Sequence, residues 1–393
     1  MMAYLNALGI VTPLGCGQRE NLAGLIAARV ALQPAPQGWL DRPAQVGAVA
    51  TELPELPREL AQFESRNNRL LLAASRQIDA EIRELVVRLG AARVAVVLGS
   101  STSGVAESEA AMPELQQGRI PDGYSYLRQE MADPARFLAE LHGLKGPAYV
   151  ISTACSSGAR ALIAARRLLR LGIADAVLCG AVDSLCRLTL NGFAALESVS
   201  ATPCNPFSAN RDGISIGEGA ALFVMSREPA AVGLAGAGSS SDAHHISAPH
   251  PDGLGAIAAM RAALQDARLD PADITYLNLH GTATPLNDAM ESRAVAAVFG
   301  EALPPASSTK ALTGHTLGAA GAIEAAFCWL LLQNPHTALP VQVNDGCADE
   351  TLPALNWPRQ GEVYAVRAAM SNSFAFGGNN VSLILKRRDG AAS

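Results

Sequence analysis

The feature that most constrains this chain is an alternation. Short, continuous apolar runs are each followed by a longer Ala/Leu/Arg stretch of helical spacing, along most of the sequence. Runs of that length, apolar on both faces, suit a mostly parallel sheet whose crossovers are helices. The pattern predicts a first strand within 1–15, then strands at 94–99, 148–152, 176–180 and 220–225, with a helix over 156–171. After Arg227-Glu228-Pro229 a second set begins, with strands at 232–237, 274–279, 364–370 and 381–386 and helices over 255–267, 288–299 and 318–332. Two sets of similar size and order predict a duplicated α/β unit, with an N-terminal half over 1–228 and a C-terminal half over 229–393. The Pro-rich stretch 33–57 reads as a surface excursion, and 110–140 as an inserted helical cap.

Composition removes several classes. With 49% hydrophobic and 17% charged residues in 393, disorder is excluded as the main character. A net charge of −6 without a basic block argues against nucleic acid. No apolar run reaches the ~18 residues of a membrane span, and the first residues lack the basic start and cleavage site of a signal peptide. The 7 cysteines are odd in number, widely spaced and free of Cys-x-x-Cys pairs. That speaks against a disulfide framework or a zinc site and for a reducing cytoplasm. Only Lys145, Lys310 and Lys386 are lysines, so a lysine inside a motif is hard to dismiss as filler.

Three segments carry chemistry. In Thr153-Ala154-Cys155-Ser156-Ser157-Gly158 a cysteine sits where a buried strand turns into a helix. The positive end of the helix dipole is expected to lower its pKa, and the turn aims backbone N–H groups at whatever it attacks. His280, in Leu279-His280-Gly281-Thr282-Ala283-Thr284, follows an apolar strand, and His315 lies between Lys310 and the glycine-rich start of a helix. Loops at strand ends are where open α/β sheets bind ligands. His244, His245 and His250 form a further cluster, but no Cys, Asp or Glu at ligand spacing supports a metal there. Finally, Phe374-Ala375-Phe376-Gly377-Gly378 is either a hairpin with two core phenylalanines or a gate whose glycines let Phe376 swing.

Together these segments resemble the elongating β-ketoacyl-acyl carrier protein synthases, condensing enzymes of the thiolase superfamily. The resemblance spans nearly the whole chain. It rests on the Thr-Ala-Cys-Ser-Ser-Gly elbow, Pro206-Phe207 with Arg211-Asp212-Gly213 and Gly217-Glu218-Gly219, the His-Gly-Thr-x-Thr loop, the Lys-x-x-x-Gly-His loop and the Phe-x-Phe-Gly-Gly turn. It implies a duplicated, five-layered α/β/α/β/α thiolase-like fold, acting as a homodimer or a close heterodimer. Cys155 would be acylated from an acyl carrier protein. His280 and His315 would stabilise the enolate left when malonyl-carrier protein loses CO2, and that enolate would attack the acyl-cysteine. The resemblance further implies that Lys310 pairs with Glu324, that Asp288 and Glu291 support the site, and that Thr282 and Thr284 bind the pantetheine arm. The N–H groups of Cys155 and Phe376 would form an oxyanion hole, with Phe374, Phe376, Gly377 and Gly378 as the gate. It implies no metal and no organic cofactor, the phosphopantetheine arriving on the carrier.

Some positions depart from the family pattern. Leu5-Asn6-Ala7-Leu8-Gly9 replaces the usual Val-Thr-Gly-x-Gly opening, and Ala375 stands where glycine is usual. Glu197 falls where a carrier-binding arginine is expected, an unfavourable exchange of about 1 kcal/mol against an acidic carrier if exposed. Arg66, Arg69 and Arg119 are the substitutes expected for that contact, and Thr102 is the expected floor of the acyl pocket. These departures point to a specialised pathway of aryl-polyene or type II polyketide kind, whose synthases often pair with a subunit lacking the nucleophile. The alternative is that this chain is itself that non-catalytic, chain-length-determining partner. Such subunits lose the cysteine, whereas Cys155, His280, His315 and Lys310 are all present here. A coenzyme A-dependent thiolase or chain-initiating synthase is a third reading, disfavoured by His315 and by the lack of a cysteine after Cys347.

Overall fold

The computed structural model describes residues 2–388 and 390. Met1 of the expected first strand, and residues 389 and 391–393 of the second half, lie outside the described residues. The first half contributes β1 (Ala3–Thr12), β2 (Val94–Gly99), β3 (Ala148–Ile151), β4 (Ala176–Asp183) and β5 (Gly219–Ser226). The second contributes β6 (Val232–Ser241), β7 (Tyr276–Asn278), β8 (Ala306–Ser307), β9 (Ala368–Phe374) and β10 (Asn379–Arg387). All ten lie in one continuous sheet, in the order β8-β7-β9-β10-β6-β1-β5-β4-β2-β3.

Within each half the spatial order is therefore third, second, fourth, fifth, first. The second strand of each half runs parallel to the third and fourth. The fifth is antiparallel to the fourth and to the first. The halves join where β1 meets β6, with only Ala3↔Leu234 and Tyr4↔Gly233 in register. A repeat too diverged to see as sequence identity is thus explicit in strand order and polarity.

Seven of the helices among the described residues build the layers: α1 (Arg66–Arg76), α2 (Asp79–Leu89), α3 (Asp133–Leu141), α4 (Ser157–Arg170), α5 (Leu254–Ala267), α6 (Pro285–Phe299) and α7 (Ala320–Gln333). Helices α1, α2 and α3 share a core with the outer face of the first half, and α5 and α6 with that of the second. Helices α4 and α7 pack between the halves, against the inward faces of β1, β4, β5, β9 and β10. This is an α/β/α/β/α stack. Helix α7 is apolar around its whole circumference apart from Glu324 and the terminal Gln333, as a helix enclosed on all sides must be. Its crossing with α4 is backbone-close: a Cβ on Gly158 would lie 2.7 Å from the Ala322 nitrogen.

Three expectations change in detail. The strand expected at 364–370 is two strands, because the Val366 N–H turns to Pro335 O and the Arg367 N–H to the Thr275 hydroxyl. Val363–Ala365 consequently pairs with His336–Ala338, outside the main sheet. The 33–57 stretch is more than a surface excursion: Gln45–Gly47 pairs with Ile216–Gly217, and Gly47 packs so closely that a Cβ there would lie 1.9 Å from Thr313 O. Nor is 110–140 all cap, since Phe137 and Leu138 of α3 are fully buried under the sheet. Among the described residues no helix is long and apolar enough to cross a membrane.

The α4–α7 contact yields a prediction. Gly158→Ala adds a methyl group where no space exists, and overpacking of this kind costs about 1–3 kcal/mol. Urea unfolding is expected to show a lower midpoint at unchanged slope, with the product of midpoint shift and slope matching that cost.

Candidate active site

The cysteine elbow is built by its serines. Ala154 adopts a left-handed φ of 53°, turning the chain between β3 and α4. Ser157 Oγ accepts from the Thr153 N–H at 2.9 Å and donates to Ala154 O at 2.6 Å, while Ser156 Oγ donates to Thr153 O at 2.9 Å. Cys155 is left 5% exposed, with its Sγ 3.1 Å from His315 Nε2. Burial pushes the thiol up to about 11, opposed by the Lys310 charge and by the N–H groups of Phe376 and Cys155 itself. This corrects the expectation of a lowered pKa. At this elbow, desolvation of the charged form outweighs the helix dipole.

His315 is clamped by its backbone, donating its N–H to Ser215 O at 2.7 Å and accepting the Gly217 N–H at 2.9 Å. The Gly-Glu-Gly motif packs on this loop so tightly that a Cβ on Gly217 would lie 2.3 Å from Thr313 O. The ring is fixed by a second contact. The Leu317 N–H donates to His315 Nδ1 at 3.2 Å, which leaves the imidazole proton on Nε2, facing Cys155. His280 is set in the same way by a side chain, since Lys310 Nζ lies 3.3 Å from His280 Nδ1 and also donates to His280 O. A lysine offers donors only, so this ring too carries its proton on Nε2. The rings meet edge to face, 5.3 Å between centroids. Burial and the Lys310 charge hold both imidazoles well below the ordinary histidine range, so both are neutral at physiological pH.

Three buried carboxylates hold these loops. Glu324 Oε1 accepts from Lys310 Nζ at 2.5 Å, and burial lifts its carboxyl to about 7 against the pull of Lys310. Glu291 accepts the N–H groups of His280 and Gly281 at 2.8 and 2.7 Å. Asp288 accepts those of Phe207 and Ala283 at 2.8 and 3.2 Å. Asp288 and Glu291 sit i, i+3 on α6, so one helix face grips the whole His-Gly-Thr loop. Thr282 and Thr284 are hydrogen-bonded to each other at 2.9 Å.

Cys155, His280, His315, Thr282, Thr284, Phe374 and Phe376 all line one cavity of about 220 Å³. Phe376 rests on Phe193, with ring centroids 5.6 Å apart. Gly377 and Gly378 stand at φ of 80° and 74°, a turn that side-chain-bearing residues rarely adopt. The Gly377 N–H donates to Ile246 O, and Gly378 O accepts the Asp242 N–H, so the gate is tied to the segment carrying the clustered histidines. In that segment His245 Nδ1 accepts the Ser247 and Ala248 N–H groups, a local turn rather than a ligand set. Among the described residues the one group of metal-ligand type is Cys155, His280 and His315, whose ligand atoms lie within 4.8 Å of one another. Its surroundings are wrong for a cation. A metal on Nε2 needs the ring proton on Nδ1, and both Nδ1 atoms already face donors.

Comparison with known proteins now bears on this geometry. Residues 7–231 match the family "Beta-ketoacyl synthase, N-terminal domain" and residues 232–367 match "Beta-ketoacyl synthase, C-terminal domain". The chain belongs to the β-ketoacyl synthase family. It is 34% identical over 314 residues, 75% of either chain, to a 3-oxoacyl-[acyl-carrier-protein] synthase 2 of Staphylococcus aureus. Among solved structures it superposes on the ketosynthase ApeO in complex with its chain length factor ApeC, from Xenorhabdus doucetiae. That match has a TM-score of 0.93 and 45% identity over 98% of both chains. A second match is a type II polyketide synthase acyl-carrier protein in complex with its ketosynthase bound to the hexaketide. It has a TM-score of 0.88 and 25% identity over 99% of both chains. The fold is the thiolase-like fold of ketosynthases, and the chain is a condensing acyltransferase.

Several of the residues expected from the sequence have partners within the chain. Arg66 is committed inward: its guanidinium grips the fully buried Glu218, with Nε 2.8 Å from Oε2. Glu218 also accepts the Val49 and Leu185 N–H groups, so Arg66, its side chain still 40% exposed, anchors the Gly-Glu-Gly motif. Arg69 pairs with Glu64 at 2.5 Å. Arg119 and Glu197 are exposed. Thr102 is no pocket floor, because its hydroxyl is buried and donates to Asp183 at 2.8 Å, and it does not line the cavity. The sequence reading missed Asp183 and the Leu317 N–H. The one available signal was a carboxylate ending an otherwise apolar strand, Val182-Asp183-Ser184.

A thiol at about 11 has ~10⁻⁴ of its population as thiolate at pH 7. Alkylation of Cys155 by iodoacetamide is expected to accelerate about tenfold per pH unit up to pH 9. A plateau below pH 8 would contradict the stated burial effect.

Proposed function

We propose that Cys155 accepts an acyl group from the phosphopantetheine thioester of an acyl carrier protein, and that His280 and His315 then drive condensation with malonyl-carrier protein. In the first step the Cys155 sulfur forms a new thioester as the pantetheine C–S bond breaks, and the cysteine proton ends on the departing thiol. The N–H groups of Cys155 and Phe376 receive the transient oxyanion. In the second step the malonyl C–C bond breaks, CO2 leaves, and the electron pair moves to the thioester oxygen as an enolate. Two neutral Nε2–H donors suit that oxyanion, since they lend hydrogen bonds without surrendering the proton that an imidazolium would pass to the enolate. The enolate carbon attacks the acyl-cysteine, and the cysteine sulfur leaves. Thr282 and Thr284 bind the pantetheine arm, with Phe374 and Phe376 gating.

The observation that carries this reading is the pair of imidazoles whose Nδ1 atoms both face donors, in one cavity with a thiol 3.1 Å from His315 Nε2. A non-catalytic partner subunit has no use for such a lock, which disfavours that alternative. No metal or organic cofactor enters the bond-making. The 45% identity to a ketosynthase solved with its chain length factor, and the likeness to a ketosynthase solved with its acyl-carrier protein, support two partners. These are an acyl carrier protein and a related, nucleophile-free subunit. The second likeness also favours a specialised pathway of polyketide kind, and the unpaired cysteines suit a cytoplasmic setting for it.

The test uses the chain with and without such a subunit, across acyl-carrier proteins of different chain length and unsaturation. Mass spectrometry is expected to find the acyl group on the Cys155 peptide and nothing after Cys155→Ala. His315→Ala is expected to spare acylation while slowing malonyl decarboxylation by about 10²-fold or more. Label that survives Cys155→Ala, or loss of both half-reactions together, would sink this division of roles.

A further inference from the structure

Asp183 ends β4 and is fully buried, and none of the ion pairs found among the described residues includes it. Its carboxylate is instead saturated by donors from two separate segments. Oδ1 accepts from Ser100 Oγ at 2.9 Å, from the Ser101 and Thr102 N–H groups at 2.7 and 2.8 Å, and from Thr102 Oγ1 at 2.8 Å. Oδ2 accepts the Ala319 N–H at 3.1 Å. Gly318 passes so close that a Cβ there would lie 2.7 Å from Oδ2 and 2.6 Å from Ser101 Oγ. A carboxylate buried at this cost needs every one of these donors, and burial raises its pKa while they oppose the rise.

The Ala319 contact matters for what lies just before it. Ala319 also donates to Thr316 O at 3.0 Å, closing the turn over Leu317–Ala319. Within that turn Leu317 holds a left-handed φ of 51°, unusual for a γ-branched residue. The N–H of this same residue, at the head of the turn, donates to His315 Nδ1. Something outside the turn has to hold it, because leucine gains nothing locally from positive φ.

We propose that Asp183 is a positioning residue for His315: through the Ala319 N–H it holds the 316–319 turn in the form that keeps the His315 proton on Nε2. The inference rests on the ketosynthase roles proposed above for what the tautomer achieves, but not for the tautomer itself. Oδ1 faces two fixed backbone N–H groups, so in Asp183→Asn the amide oxygen stays on that side. The new NH2 group then meets the Ala319 N–H, donor against donor, and only the His315 turn is loosened.

The test is ¹⁵N-histidine NMR on the full chain at pH 7.5, read together with the two half-reactions. In the unmodified chain His315 is expected as the Nε2–H tautomer, and in Asp183→Asn it is expected to show substantial Nδ1–H population. Malonyl decarboxylation is expected to lose about 10- to 100-fold in kcat, with KM and Cys155 acylation little changed. Should Asp183→Asn not fold, Gly318→Ala pushes on the same carboxylate from the other side and is read identically. An unchanged His315 tautomer in the folded variant, or equal loss in both half-reactions, overturns the proposal. Failure of the unmodified chain to acylate Cys155 would count against the ketosynthase roles instead, and the NMR comparison would still decide on Asp183.

Discussion

The site depends on one buried ammonium. Lys310 is 1% exposed and reaches Glu324 on the central helix α7, together with the carbonyl and Nδ1 of His280. A buried ion pair of this kind adds little net stability, because desolvation takes back most of the Coulomb attraction. What it supplies is position. The ammonium cannot leave Glu324 without leaving two buried charges unpaired, and while it stays the His280 loop has one register and its ring one tautomer. It also loads the cavity with positive charge, which keeps both imidazoles neutral and opposes the burial effect on the Cys155 thiol.

That lock explains why two halves are needed. The first half brings Cys155 on the elbow before α4. The second brings His280, His315, Lys310 and the Phe374–Phe376 gate. They can share one cavity because α4 and α7 cross at near-backbone contact through Gly158 and Ala322. Asp183, from the first half, reaches the start of α7 in the second. Arg66 and Glu218, both of the first half, brace the Gly-Glu-Gly motif on which the His315 loop rests. The acidic residues, which outnumber the cations 36 to 30, are therefore divided: several of the decisive ones are buried as hydrogen-bond acceptors.

Much of this was legible in the sequence, and for physical reasons. Strands such as Val94–Gly99, buried on both faces, announce themselves as continuous apolar runs. The residues at the centre of the site sit in short glycine-bounded motifs, so Cys155, His280, His315 and Lys310 stood out. What escaped notice acts through the backbone or across long separations. The Leu317 N–H has no side-chain signature, and Asp183 reaches a partner 136 positions away. Arg66 looked like a free surface cation because nothing local reveals that its acceptor is Glu218, 152 positions on. The thiol was misjudged because helix-dipole reasoning is local, whereas desolvation depends on how much of the rest of the chain closes over the sulfur.

The central claim is that this cavity presents two neutral imidazoles with their protons fixed on Nε2. Selective ¹⁵N-histidine NMR of the unmodified chain, titrated across the ordinary histidine range, tests it most directly. His280 and His315 are expected to show bare Nδ1 and protonated Nε2 throughout. Titration of either ring near its ordinary pKa, or a proton found on Nδ1, would contradict the account.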